Sequence, residues 1–591
     1  MSKKFIEDNS ATIPIVESNE QSNQQQPTTN GPRSRWTDFV DSFKPATETE
    51  KFTSTLHQDQ ELQLDEDSEK LTEIQRINLS SSKSKLQRKL KNRHLQMIAI
   101  ASSIGSGLLI GIGAALATAG PGGVLIAWGL SGISILCTTQ AMAELAVTFP
   151  VSGGFNVLFS RFIDSSVGFS VAWNYVLQYI TLLPLELVAA SITIQYWNTT
   201  INPDVWVAIF YVAVISVNMF GVRLYGEVEF VLSSLKVIAV LGFIILSLVL
   251  AAGGAPNGVH HGVKFWHNPG AFANGFKGVA GAFITAAFSF AGTELTGLTS
   301  AEAENPRKAL PKAVKQVFWR ILLFYIVSIT LITFLVPYNN PRSSDVSASP
   351  FVISIQEAGI SGLPSVMNAV ILISVISVGS SSVYATSRTL VSLAEQNLAP
   401  KICGYVDRSG RPLVAIMITN AFGLISFIAA SGKQSEVFTW LLSISGLSSI
   451  FTWLSICVAH LRFRRALSVQ GRTTDELAFV SQTGIIGSWF GVILNVLVLI
   501  AEFWLAIFPL GDKPNAKGFF EAYLGFVILI VFYIGHKIWR KNWILFIRSK
   551  DIDIDSGRKE TDLEALKREL EEEKLVLASK PWWYRLYSIW C

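Results

Sequence analysis

The stretch Ala101-Ser102-Ser103-Ile104-Gly105-Ser106-Gly107-Leu108-Leu109-Ile110-Gly111 interrupts the first long apolar run of the chain with glycines and serines. A helix surrounded by lipid must satisfy its own backbone hydrogen bonds, so an interruption at that depth survives only around a cavity or a ligand. The stretch is a candidate binding site.

Outward from it, the 591 residues are 50% hydrophobic and 16% charged, with the charges gathered in tails and short loops. About 20 apolar residues cross a bilayer as a helix. Runs of that kind fall at roughly 97–117, 122–143, 167–190, 205–221, 231–252, 279–300, 317–337, 364–392, 413–431, 437–459, 485–508 and 518–539. They predict an all-α integral membrane protein with about twelve transmembrane helices. Residues 1–96 read as a disordered cytoplasmic tail, polar and rich in Gln, Asn and Ser, with no cleavable signal peptide. Its end, Lys83, Lys85, Arg88, Lys89, Lys91 and Arg93, is basic and directly precedes the first run, which places the N-terminus in the cytosol. An even number of crossings returns the C-terminus there. The net charge of +4 is thus a topology signal; no basic stretch is interleaved with aromatics as nucleic-acid binding needs. Cys137, Cys403, Cys457 and Cys591 fall in spans or on the cytoplasmic side, which argues against a disulfide framework or a metal site.

A second interruption, Ala287-Phe288-Ser289-Phe290-Ala291-Gly292-Thr293-Glu294-Leu295, lies in the sixth run. Paired breaks at matching places mark the two halves of an inverted-repeat transporter. An odd number of crossings separates them, so the five-helix blocks 97–252 and 279–459 are opposed. Helices 11 and 12 (485–539) remain over, followed by a cytoplasmic tail, 540–591, with a short amphipathic helix. A broken helix presents about +0.5 charge at one free end and −0.5 at the other. An amino acid fits both: its carboxylate takes the freed N–H groups of Ser106 and Gly107, beside Ser103, Ile104 and Gly105. Its ammonium takes carbonyls near Phe290 and Ala291, with Phe288 or Phe290 as a gate over the site. Gly-x-Gly alone also suits helix packing; the second break favours binding. In span eight, Ser380 within Val378-Gly379-Ser380-Ser381-Ser382 reads as a small polar patch facing the site or as a close helix-packing surface.

Several motifs carry a resemblance. Leu90-Lys91-Asn92-Arg93-His94-Leu95-Gln96-Met97, Glu144-Leu145-Ala146, Phe149-Pro150-Val151-Ser152-Gly153-Gly154-Phe155, Glu304-Asn305-Pro306-Arg307-Lys308, Asp407-Arg408-Ser409-Gly410-Arg411-Pro412 and Ile589-Trp590-Cys591 resemble fungal amino acid permeases, most of all the general amino acid permeases, from about residue 85 onward. These belong to the amino acid, polyamine and organocation superfamily. The resemblance implies a LeuT-like fold and proton-coupled uptake of amino acids, broad in specificity, at the plasma membrane, with the proton as coupling ion and no cofactor. It also implies palmitoylation at Cys591, and ubiquitination at Lys3 and Lys4 by a ligase acting with the trafficking machinery.

A charge at mid-bilayer costs at least a few kcal/mol, so intramembrane charges point to coupling. Lys236 stands where relatives place an amine in lieu of a sodium ion; Glu294 follows the second break and Glu186 follows Pro184. These three are the coupling candidates, with Lys236 also readable as a snorkelling residue, Glu294 as a helix bridge and Glu186 as a structural polar contact at a proline kink. Glu502, outside the repeats, receives no coupling role. No Walker-type segment or nucleophilic triad supports ATP drive or catalysis. Two other functions fit parts of the chain: a transceptor that senses amino acids with little transport, and a major facilitator type sugar or solute transporter suggested by Asp407-Arg408-Ser409-Gly410-Arg411. The short connection between spans six and seven and the inverted breaks oppose the latter.

Overall fold

The computed structural model describes residues 41–45, 90, 92–151, 153–260, 262–299, 302–303, 306–340, 349–431, 434–511, 513–558, 568, 571–572 and 575–582. Lys3, Lys4, Cys591 and most of the assigned N-terminal tail and C-terminal helix lie outside them. Asp41–Lys44 form a turn of their own, with Lys44 Nζ 2.7 Å from Asp41 Oδ1.

The membrane body is helical throughout, and the described residues contain no sheet. In chain order it comprises α1 (Asn92–Ser103), α2 (Gly107–Thr148), α3 (Phe155–Phe162), α4 (Ser165–Ile194), α5 (Pro203–Met219), α6 (Val222–Ala251), α7 (Gly275–Phe290) and α8 (Leu295–Thr299). Then follow α9 (Pro306–Arg320), α10 (Ser328–Leu335), α11 (Pro350–Glu357), α12 (Leu363–Glu395), α13 (Leu413–Gly423), α14 (Gln434–Val469), α15 (Gly484–Ile507) and α16 (Ala516–Arg540). A π-helical stretch, Ile321–Val327, makes α9 and α10 one rod.

Among the described residues nine helices are long and apolar enough to cross a membrane, and Pro203–Met219 and Leu413–Phe427 are shorter apolar helices. α2 is two crossings: Gly120, at φ 74°, breaks it just before Pro121. A side chain would resist that left-handed conformation, and a Cβ there would lie 2.8 Å from the Ala271 carbonyl oxygen. Counting its arms separately, with α1 and the first arm as one broken span, gives twelve. Two boundaries move. α1 starts at Asn92, inside the stretch assigned to the tail, and α9 starts at Pro306, well before the apolar run at 317, because Lys312 and Lys315 mask a helix whose first turn carries a compatible proline.

The breaks set the architecture. α1 packs against α8, while the start of α2 packs against α7. The first half of one broken helix therefore meets the second half of the other, as in an antiparallel pair. α4 and α12 pack closely beside them, whereas α15 and α16 stand at the periphery, with apolar side chains such as Ile486 and Val531 turned outward as lipid-facing residues are.

Candidate functional site

In the first break the regular ladder ends with the Ile104 N–H on the Ile100 carbonyl and resumes with the Leu109 N–H on the Gly105 carbonyl. The first N–H groups of the restarted helix have no partner inside it. In the second, α7 ends at Phe290 and Gly292 takes φ 95°, where a Cβ would meet Ser102 Cβ at 2.6 Å. Ser102 Oγ sits 2.9 Å from the Gly292 carbonyl and ties the breaks together. Tyr325 ties them again: its hydroxyl lies 2.5 Å from the Ser103 carbonyl and 2.8 Å from that of Ser289. At Gly107 a Cβ would stand 2.7 Å from Ser289 Cα, so only glycine permits this approach of the two backbones.

Between the breaks lies a small cavity. Ser102, Ser103, Gly105, Ser106 and Gly107 line one side and Phe288, Ser289, Ala291 and Gly292 the other; Tyr179, Leu182 and Glu186 of α4 and Val378 and Ser381 of α12 close it. Ser106 Oγ donates to Glu186 Oε1 at 2.7 Å, while Glu186 Oε2 is buried with no partner among the described residues. The wall thus offers free N–H groups, a backbone carbonyl at Ala291 and an open carboxylate oxygen. A molecule bearing both an anionic and a cationic group finds complementary partners there.

Other expected residues are placed elsewhere. Ile104 is buried outside the cavity wall. The Phe290 carbonyl accepts from the Thr293 N–H at 3.2 Å and from Thr293 Oγ1 at 2.8 Å, so it is already capped. The Phe290 ring packs on Tyr325 at a centroid distance of 4.3 Å, leaving Phe288 as the phenylalanine of the pair that lines the wall, together with Tyr179 of α4. Glu294 is buried just behind the cavity wall. Its carboxylate accepts from the Gly292 N–H at 3.2 Å, Tyr179 OH at 2.9 Å and Trp453 Nε1 at 3.3 Å, bridging α4 and α14 to the break. Ser380 accepts from Asn218 Nδ2 at 3.1 Å, and its neighbour Ser381 reaches the cavity instead. Lys236 lies outside the wall, 3.0 Å from Ser377 Oγ on α12. The Asp407–Arg411 loop is a local staple: Arg411 Nε donates to Asp407 Oδ2 at 2.6 Å.

Sequence reasoning missed Glu229, Ser377, Tyr179 and Tyr325. For Glu229 a signal existed. It lies seven residues before Lys236, hence on nearly the same helix face, but a span started at 231 leaves it in a loop. Tyr179 and Tyr325 carry no local signal, because only tertiary packing brings them to the breaks.

Two opposed broken helices around a buried, partly polar cavity define a membrane solute transporter of the secondary class. The chain belongs to the Amino acid permease family, whose profile matches residues 94–549. It is 77% identical to amino-acid permease GAP5 of Candida albicans over all of both chains. It is 53% identical to general amino-acid permease GAP1 of Saccharomyces cerevisiae, over 95% of this chain and 92% of that one. It is 49% identical to S-adenosylmethionine permease GAP4 of Candida albicans, over 88% and 86%. This membership excludes the major facilitator alternative.

Proposed function

We propose that the chain carries L-amino acids into the cell across the plasma membrane by alternating access, coupled to protons and broad in side-chain acceptance, with both termini cytosolic. The observation that carries the reading is the cavity between the breaks, where Ser106, Gly107, Ala291 and Glu186 offer partners to the two charges every amino acid shares. Recognition of that common part leaves the side chain to the surrounding apolar wall of Leu182, Phe288 and Val378. Similarity to a general amino-acid permease supports breadth.

Proton coupling is supported by Glu186 in the wall and Lys236 close behind it, both fully buried. One proton falling through about 100 mV supplies roughly 2.3 kcal/mol, and each pH unit about 1.4 kcal/mol. A single proton sustains steep accumulation. Ubiquitin attachment at Lys3 and Lys4 and palmitoylation at Cys591 belong to the same proposal, through the tails and the trafficking machinery. Uptake of labelled amino acids into permease-deficient cells, with a full competition panel and a collapsed pH gradient, tests the reading; accumulation that ignores the gradient overturns proton coupling.

A further inference from the structure

Glu229 and Lys236 stand about two turns apart on α6 and are both fully buried. Ser377 of α12 stands between them. Its Oγ accepts from Lys236 Nζ at 3.0 Å and donates to Glu229 Oε2 at 2.5 Å. Removing two charges from water costs several kcal/mol each, and a purely structural pair recovers most by meeting directly. Here the charges meet through a hydroxyl, a group that accepts and donates at once.

The chain has two ends. At the cavity end, Lys236 lies within electrostatic reach of Glu186, the carboxylate bonded to Ser106. At the other, Glu229 lies seven residues from the start of α6, and its Oε1 is buried with no partner among the described residues. That start is the end that the basic loops assign to the cytosol.

We propose that Lys236, Ser377 and Glu229 form a proton-release relay leading from the substrate cavity toward the cytoplasmic end of α6. The proposal rests on the proton-coupled reading above. The transfer balances: the Lys236 ammonium passes a proton to Ser377 Oγ as the hydroxyl's own proton moves to Glu229 Oε2. A neutral amine, a neutral carboxyl and an unchanged serine result, and rotation of the hydroxyl resets the chain after Glu229 releases its proton to water. Other groups surround it. Glu186 of α4 faces the lysine; Tyr225 of α6 faces Glu229, with Tyr384 stacked on Tyr225 at 4.8 Å and Arg388 over Tyr384 at 4.3 Å. α1 contributes the His94 ring against Gly226 and the Met97 carbonyl, which accepts from Ser233 at 2.9 Å.

The test uses the full chain in proteoliposomes and two assays: accumulation driven by an imposed pH gradient, and counterflow exchange of labelled amino acid without one. Ser377→Ala is expected to lose gradient-driven accumulation by about tenfold or more while exchange stays within about twofold. Ser377→Thr, which restores a hydroxyl, is expected to recover it, and Glu229→Gln to behave as Ser377→Ala. Wild-type accumulation in Ser377→Ala and Glu229→Gln overturns the relay. So does parallel loss of exchange in every variant, which assigns the trio to structure. Wild-type protein that exchanges but ignores the gradient instead overturns proton coupling itself.

Discussion

Ser106 on the first broken helix donates a 2.7 Å hydrogen bond to Glu186 on α4, in the wall of the cavity between the breaks. The bond holds one carboxylate oxygen toward α2 and leaves the other open. Ser106→Ala removes a hydrogen-bond donor from a buried carboxylate, at a cost of about 1–3 kcal/mol. The expected result is a rise in KM of about tenfold for all amino acids alike, with surface expression retained. Uptake titrations on a panel of labelled amino acids check it; a rise confined to one side-chain class contradicts recognition of the common part.

Gly107→Ala places a methyl 2.7 Å from Ser289 Cα and 2.8 Å from the Phe288 ring. The obstacle is backbone, so the two breaks must separate. Transport is expected to fall by about a hundredfold, because misplacing a site by about 1 Å has effects of that size. The variant is measured by uptake normalised to protein at the cell surface.

Tyr325→Phe leaves the ring against Phe290 but removes the hydroxyl that reaches both broken helices. Two buried carbonyls lose a partner, which costs about 1–3 kcal/mol. A fall in Tm of several degrees in detergent is expected, along with impaired uptake. An unchanged Tm removes the hydroxyl from the account of how the breaks are held.

Arg388 Nε lies 2.9 Å from Glu302 Oε1, both buried, and the guanidinium covers Tyr384. Glu302→Ala strands a buried cation and is expected to cost about 3–5 kcal/mol. Glu302→Leu combined with Arg388→Met is expected to recover much of that loss. Thermal unfolding of the single and double variants separates the pair from its stranded half.

Past α16 the chain returns to the body. Arg161 Nε donates to the Asp553 carbonyl at 2.7 Å, Gln470 Nε2 donates to the Ile552 carbonyl at 2.9 Å, and Arg462 reaches the Ile547 carbonyl. Arg161→Ala with Arg462→Ala is expected to free residues 544–558, seen as faster proteolytic trimming there. Glu476 helps hold the same strap through Arg472 and Arg558. Slight burial acts to raise its pKa, but the two guanidiniums outweigh it and hold the carboxyl below its ordinary 4.5. That contribution is present above about pH 4.5 and is lost as pH falls through the lowered value. Trimming is therefore expected to quicken in strong acid, and Glu476→Gln to remove that part of the dependence.

The sequence by itself determined the class of molecule, its crossings and its two breaks, since apolar run length and backbone satisfaction in lipid are local properties. Gly105-Ser106-Gly107 and Ala291-Gly292-Thr293 could be read as a pair because their order along the chain already opposes them. Tertiary structure alone decided which polar groups meet. It set Glu294 against Tyr179 and Trp453 in the core, brought Glu186 to Ser106, replaced Ser380 by Ser381 in the wall and joined Lys236 to Glu229 through Ser377. The physical reason is range. A break is written in neighbouring residues, whereas a buried polar group takes its role from a partner 80 or 141 residues away, as Ser106 does from Glu186 and Lys236 from Ser377.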